Sequence, residues 1–122
     1  MNAINWFEIP VNDLERAVQF YTAVLGRDMP RMDLGGLKMA LFPADQSEVG
    51  GALCMHEDFY KPSSEGTLVY LNGGADLSEP LSRVEAAGGK VVMEKKQINE
   101  EIGYMAIFVD TEGNKVAFHS PG

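Results

Sequence analysis

The sequence lacks the features that mark several large classes of protein. Its single cysteine, Cys54, rules out a disulfide within the chain and supplies too few ligands for a cysteine-based zinc site. No apolar run approaches the roughly 18 residues that a membrane-spanning helix needs. The acidic residues Glu8, Asp13 and Glu15 interrupt the stretch where a signal peptide would have its apolar region. We therefore expect a cytoplasmic protein that has no membrane partner.

Basic residues are also scarce. The chain has 10 Lys and Arg against 18 Asp and Glu, which gives a formal net charge of −8. Because nucleic-acid binding depends on Lys and Arg that neutralise phosphates, we expect no nucleic-acid partner. The acidic residues form no long run, and apart from Glu8 we expect them on the solvated surface. A length of 122 residues with 45% hydrophobic residues fits one compact domain.

The chain does contain a repeated order of predicted elements. Apolar residues recur with helical spacing from Leu14 to Leu25, after Asn12 or Asp13 as the cap and before Gly26. A second helix is predicted from Leu77 to Ala87, with Asp76 or Ser78 as its cap and Pro80 in its first turn. Strands are predicted at Ala3–Val11, Asp28–Asp33, Leu37–Phe42, Gly51–His56, Thr67–Asn72, Lys90–Glu94, Tyr104–Asp110 and Lys115–His119.

The order strand, helix and three strands thus occurs twice, which predicts an α+β fold of two βαβββ modules. We assign residues 1–57 and 67–122 to the modules and 58–66 to a linker within one domain of residues 1–122. Each module has a four-stranded sheet with one helix over one face, so its other face needs a partner. Two such faces would enclose a cavity, either within one chain or across a dimer.

Three segments carry a resemblance to a known family. They are NDLERA followed by FY and VLG within residues 12–26, EAAGGKV at residues 85–91, and DTEGN at residues 110–114. Together they resemble the vicinal-oxygen-chelate superfamily, which includes glyoxalase I, bleomycin-resistance proteins and extradiol dioxygenases. The resemblance covers nearly the whole chain. It implies an open cup-shaped sheet with helices on the outer face, a homodimer, and in many members a divalent metal that chelates vicinal oxygens of the substrate.

The resemblance also implies where metal ligands would lie. Metal-using members place a His or Glu on the first and last strand of each module, and these positions fall here on Trp6, Leu68, Ala117 and either Cys54 or Met55. Only Cys54 could bind a metal, so a classical glyoxalase I site is not expected. Instead, we expect a small-molecule ligand to contact the cup-facing residues Trp6, Cys54, Leu68, Tyr70 and Ala117.

A second possible ligand set lies two residues further along the strands. Because side chains alternate between the faces of a strand, Glu8, His56 and His119 would also face the cup. Two histidines and one carboxylate can bind iron(II) or zinc with open positions, and Glu8 would then also be a candidate catalytic residue. If Met55 rather than Cys54 faces the cup, His56 turns to the helix side and the set loses a member.

Ordinary structural roles compete with this metal set. His119, close to the C-terminus, could be solvated or hydrogen-bonded, and His56 could form a surface ion pair beside Glu57 and Asp58. Glu8 lies mid-strand among apolar residues, where an isolated buried charge is costly. We therefore expect Glu8 to face a polar cavity or to pair with a donor such as His119.

Three functions follow as hypotheses. The one we prefer is a glyoxalase- or bleomycin-resistance-like protein that binds a small molecule in a cup without a metal. The alternative is a metal-dependent lyase, isomerase or dioxygenase that uses Glu8, His56 and His119 to bind a divalent metal. The third is an accessory protein whose cup is filled by its own side chains, and the absence of a pocket near Glu8 would favour it.

Overall fold

The computed structural model of the chain describes residues 2–45 and 47–122. Its helices are α1 (Leu14–Leu25) and α2 (Ser78–Leu81), and its strands are β1 (Trp6–Pro10), β2 (Arg31–Leu34), β3 (Leu37–Phe42), β4 (Gly50–Met55), β5 (Tyr70–Asn72), β6 (Lys90–Asn99), β7 (Gly103–Val109) and β8 (Lys115–Ser120). The strands form two open four-stranded sheets, in the orders β1-β4-β3-β2 and β5-β8-β7-β6.

Both sheets are built in the same way. The first strand of each module pairs in parallel with the last strand, β1 with β4 and β5 with β8. The remaining neighbours pair antiparallel. The predicted α+β fold of two βαβββ modules is therefore confirmed.

Helix α1 begins and ends where the sequence predicts. The Asp13 side chain accepts a hydrogen bond from the backbone N–H of Arg16 at 3.1 Å, which satisfies one of the free amides of the first turn. Gly26 has the left-handed φ of 71° that closes the helix, and its N–H donates to the Thr22 carbonyl. No helix among the described residues is long and apolar enough to cross a membrane.

The boundaries of other elements differ from the prediction. Helix α2 ends at Leu81 rather than near Ala87, because the chain continues as turns with i→i+3 bonds such as Val84 N to Leu81 O at 3.2 Å. Strand β5 is shorter than predicted, whereas the edge strand β6 continues to Asn99. Register shifts along the β6–β7 pair accommodate the extra length of β6.

Helix α1 packs between the two sheets and joins the modules through one core. The Tyr21 ring lies 5.5 Å from Phe42 of the first sheet and 6.5 Å from Phe108 of the second, measured between centroids. Phe20 also contacts Phe108, at 5.9 Å. The helix-covered faces of both sheets are thus buried against shared apolar side chains.

The opposite face of each sheet is turned away from this shared core. Because Phe7 and Ile9 point into the core, Trp6 and Glu8 lie on the other side of β1. We call this side open face 1, and it is formed by Trp6, Glu8, Met39, Leu41, Ala52 and Cys54. Open face 2 is the corresponding side of the second sheet, formed by Tyr70, Asn72, Met105, Ala117 and His119.

Candidate functional site

Glu8 is the charged residue of open face 1, and two aromatic side chains hold its carboxylate. The Tyr60 hydroxyl donates to Glu8 Oε1 at 2.5 Å, and the Trp6 indole Nε1 donates to Oε2 at 3.3 Å. Glu8 therefore pairs with side-chain donors, although its side chain is exposed rather than buried among apolar residues. The donors are Trp6 and Tyr60 rather than His119.

Tyr60 is a site residue that the sequence prediction missed. It belongs to the polar segment DFYKPSSEG at residues 58–66, which we interpreted only as a linker. In the structure this segment folds over open face 1, and Tyr60 packs against the small apolar cluster of Met39, Ala52 and Cys54. An aromatic residue inside an otherwise polar linker was the signal that part of the linker packs on the sheet.

Cys54 lies fully buried beneath Tyr60 and beside Glu8. Burial, and then the negative charge of Glu8, raise the pKa of the Cys54 thiol to about 12. The hydrogen bond to Glu8 is the main cause that raises the pKa of Tyr60 to about 12. At neutral pH the thiol is therefore protonated, which makes it a poor nucleophile and a poor metal ligand.

The positions that the resemblance implies for metal ligands do not fit a divalent metal. Cys54, not Met55, shares open face 1 with Ala52 and Met39, while Met55 packs against the main core. The other implied positions are Trp6, Leu68 and Ala117, whose side chains carry no metal-binding atom. One protonated thiol among such residues offers no coordination sphere for a divalent ion.

The structure does not bring Glu8, His56 and His119 together. Strand β4 ends at Met55, so the alternation of faces does not extend to His56. The Nδ1 atom of His56 instead accepts a hydrogen bond from the backbone N–H of Asp58 at 3.1 Å. No group of three or more His, Cys, Asp or Glu within residues 2–45 and 47–122 is arranged to hold a metal ion.

His119 does lie on open face 2, but its ring is engaged locally. The Nε2 atom lies 2.6 Å from the carbonyl oxygen of Ile102, in the turn between β6 and β7. Because a carbonyl oxygen only accepts, Nε2 carries the proton in this contact. The remaining nitrogen, Nδ1, is the ring atom that is left to accept a hydrogen bond or a metal ion.

A cavity of about 360 Å³ lies beside Glu8, along the seam between β1 and the second module. Its lining includes the polar residues Glu8, Lys61, Ser63, Thr67, Asn114 and Lys115. A pocket at Glu8 argues against a cup that is filled by its own side chains. Trp6 and Tyr70 lie outside this lining, on the open faces, where they are 45% and 49% exposed.

The other residues predicted to contact a ligand are less accessible. Cys54 and Ala117 are buried, and Leu68 is half-buried in the segment before β5. Neither Cys54, Leu68 nor Ala117 lines the cavity beside Glu8. Access to them would require the linker to move or a ligand to lie directly on the open faces.

Two acidic residues that we expected on the surface are buried instead. Asp110 and Glu112 are only 4% and 7% exposed, because the DTEGN turn between β7 and β8 docks on the N-terminus of α1. Glu112 Oε1 accepts the N–H groups of Asn12 and Asp13, both at 2.8 Å, and Oε2 accepts Arg16 Nε at 2.7 Å. The expectation of a surface position was therefore wrong for these two residues.

The electrostatics of this buried cluster follow from its donors. Burial raises the pKa of the Glu112 carboxyl, but hydrogen bonds from Arg16 and the two amides outweigh it, so the net pKa is lowered. The Tyr21 hydroxyl donates a hydrogen bond to Asp110 at 2.7 Å. Burial is the main cause that raises the pKa of Tyr21 well above its usual range, and the negative charge of Asp110 raises it further. The cluster ties the second module to α1 and has a structural role.

Comparison with known proteins gives the family. The family model for the Glyoxalase/Bleomycin resistance protein/Dioxygenase superfamily matches residues 3–118. The chain belongs to this superfamily. A similar curated protein is a "Glyoxylase-like domain-containing protein" of Didymella fabae, 30% identical over 116 residues, which cover 91% of this chain and 88% of the relative.

Solved structures share the fold of this chain. The hypothetical protein SA1046 from S. aureus has a TM-score of 0.72 at 25% identity and covers 98% of this chain and 95% of its own. A glyoxalase I mutant from Zea mays has a TM-score of 0.70 at 22% identity, covering 95% of this chain but 45% of the maize chain. At that identity the maize structure shows a shared fold alone.

Proposed function

We propose that this superfamily member binds a small molecule on open face 1, around Glu8. The observation that carries the proposal is an exposed carboxylate that two aromatic donors hold on open face 1 and that also borders the seam cavity of about 360 Å³. Ligand sites are typically apolar concavities that contain a few well-placed polar groups. Glu8 is such a polar group on a face otherwise formed by apolar residues.

The surroundings of Glu8 indicate the chemistry of the ligand. Trp6 and Tyr60 offer ring surfaces on open face 1, while Met39 and Cys54 form a buried apolar layer beneath Tyr60 that a ligand does not contact. The carboxylate can only accept hydrogen bonds, and a charged donor gives the strongest ones. The ligand that fits is a molecule with an aromatic or apolar body and an amine or another donor group.

The proposal includes a homodimer in which a second copy covers the open faces. Trp6 and Tyr70 are each about half exposed, at 45% and 49%, although both are large aromatic residues. Met32 and Leu34, on the edge strand β2, are also exposed. Exposed apolar surface of this kind is typical of an interaction site.

The test is a titration with 2-naphthylmethylammonium, an aromatic cation. Because Trp6 is the single tryptophan, its indole N–H gives one NMR signal that reports on the bond to Glu8. We expect this signal to shift on binding, and Glu8→Gln to weaken the affinity measured by calorimetry about tenfold. Glu101→Gln removes an exposed charge elsewhere and should leave the affinity unchanged.

Two results would overturn the proposal. One is a wild-type protein that does not bind the probe, or that binds it equally well after Glu8→Gln. The other is stoichiometric Zn²⁺, Ni²⁺ or Fe²⁺ in the purified protein that is lost on Glu8→Ala or His119→Ala. That second result would favour a metal-dependent enzyme whose ligands converge from two copies. Sedimentation of the wild type then tests the homodimer separately.

A further inference from the structure

A second and larger cavity, of about 650 Å³, lies between the modules at the C-terminal end of α1. We propose that it binds a small carboxylic acid with an apolar body, independently of the site at Glu8. Its volume lies within the range of about 300–1,000 Å³ that is typical of sites for small organic ligands. Glu8 does not border it, so the two sites can be tested apart.

The floor of this cavity is apolar and comes from both modules. Phe7 and Phe42 of the first sheet and Leu71 of the second line it. The two phenylalanine rings lie 5.2 Å apart in a tilted arrangement. Because Phe42 and Leu71 are largely buried parts of the core, the floor is preformed and gives an apolar surface for a ring or an alkyl group.

Two arginines border the same cavity. Arg83 is fixed in place, because its Nε donates to the Val24 carbonyl at the end of α1 at 2.9 Å. Arg27 follows Gly26, the residue that ends the helix, and makes no hydrogen bond or ion pair within residues 2–45 and 47–122. A guanidinium presents a planar fork of donors that matches a carboxylate.

Two glutamates also border the cavity, but each is already occupied or solvated. Glu48 Oε1 accepts the N–H of Asp45 at 3.0 Å. Glu79 Oε1 lies 3.8 Å from Arg83 Nη1, and its side chain is 79% exposed. Arg83 and Glu79 pair with each other, so Arg27 is the charged lining residue that has no partner among residues 2–45 and 47–122, and it favours an anion over a cation.

The test uses 2-naphthoate, the anionic counterpart of the cation used at Glu8. We expect calorimetry to detect binding and Arg27→Gln to weaken it about tenfold, since one charged donor is removed. Arg27 is exposed and has no partner to lose within the described residues, so this variant should fold normally. Lys96→Gln, at an exposed edge position, is the matched control and should bind like the wild type.

NMR chemical shifts test which of the two cavities the ligand occupies. On addition of 2-naphthoate we expect the amide signals of Gly73 and Gly74, which line the cavity, to shift more than the indole signal of Trp6. Glu8→Gln should leave 2-naphthoate binding unchanged, so failure of this proposal and failure of the Glu8 site are separate outcomes. Absence of binding, equal affinity in Arg27→Gln, or tighter binding of 2-naphthylmethylammonium at this cavity would overturn the assignment.

Discussion

Glu112 and Glu8 are two carboxylates held in contrasting ways. Glu112 is 7% exposed and accepts hydrogen bonds from backbone amides that the fold itself positions, as well as from Arg16. Glu8 is exposed and accepts hydrogen bonds from the side chains of Trp6 and Tyr60. Backbone N–H donors cannot move away from the carboxylate unless the local structure unfolds, whereas side-chain donors can do so by rotating about their side-chain bonds. The first carboxylate therefore stabilises the fold, whereas the second is the one around which we propose that a ligand binds.

The two groups also differ in the parts of the molecule that they join. Glu112 links the turn between β7 and β8 to the first turn of α1, so it connects the two modules. Glu8 links β1 to the linker that carries Tyr60. Loss of Glu112 should thus weaken the whole domain, while loss of Glu8 should release only a surface segment.

The largest expected effect that tests this comparison is on stability. Glu112→Ala leaves two part-buried backbone N–H groups and Arg16 without their acceptor, so we expect a loss of about 2–3 kcal/mol in the free energy of unfolding. Glu8→Ala should cost less than about 1 kcal/mol, because its site is exposed. Urea unfolding of both variants measures the difference. Equal losses in the two variants would contradict the comparison.

The pH dependence of stability sharpens the comparison. The pKa of Glu112 is lowered in the folded protein, so its ionised form stabilises the fold above its ordinary pKa of 4.5. This contribution is lost as the pH falls below 4.5 and through the folded-state pKa. The midpoint of thermal unfolding should therefore fall more steeply between pH 7 and pH 3 in the wild type than in Glu112→Gln. An unchanged slope in the variant would count against the role of Glu112.

The smallest expected effect concerns the Cys54 thiol beside Glu8. The charge of Glu8 contributes to its raised pKa after burial, so Glu8→Gln should increase the thiolate fraction and speed alkylation a few-fold. Glu101→Gln removes an exposed charge elsewhere and serves as the control. Alkylation by iodoacetamide in native protein, followed by mass spectrometry, gives the rates. Faster alkylation in the control alone would contradict the placement of Glu8 next to Cys54.

The sequence was a good guide wherever the determining contacts are local. The limits of α1 follow from Asp13 and Gly26, and the repeated order of elements follows from the spacing of apolar residues. The position of Glu8 on a face opposite to the core follows from strand alternation between Phe7 and Ile9. These features need no knowledge of distant partners.

The sequence was a poor guide where the partner is far along the chain. Glu112 is 100 residues from Asn12, whose amide it accepts, so nothing in the neighbouring residues shows that it is buried. Tyr60 reaches Glu8 across 52 residues and from a segment without regular structure. The position of His56 could not be predicted for another reason. Strand β4 ends one residue before it, so the alternation of faces does not reach His56.

The most direct test of the account measures binding and stability on the same two variants, Glu8→Gln and Glu112→Gln. We predict that Glu8→Gln weakens binding of 2-naphthylmethylammonium about tenfold and leaves the free energy of unfolding nearly unchanged. We predict the reverse for Glu112→Gln, with reduced stability and wild-type affinity in the folded protein. Wild-type affinity in Glu8→Gln would contradict the claim that Glu8 holds the ligand.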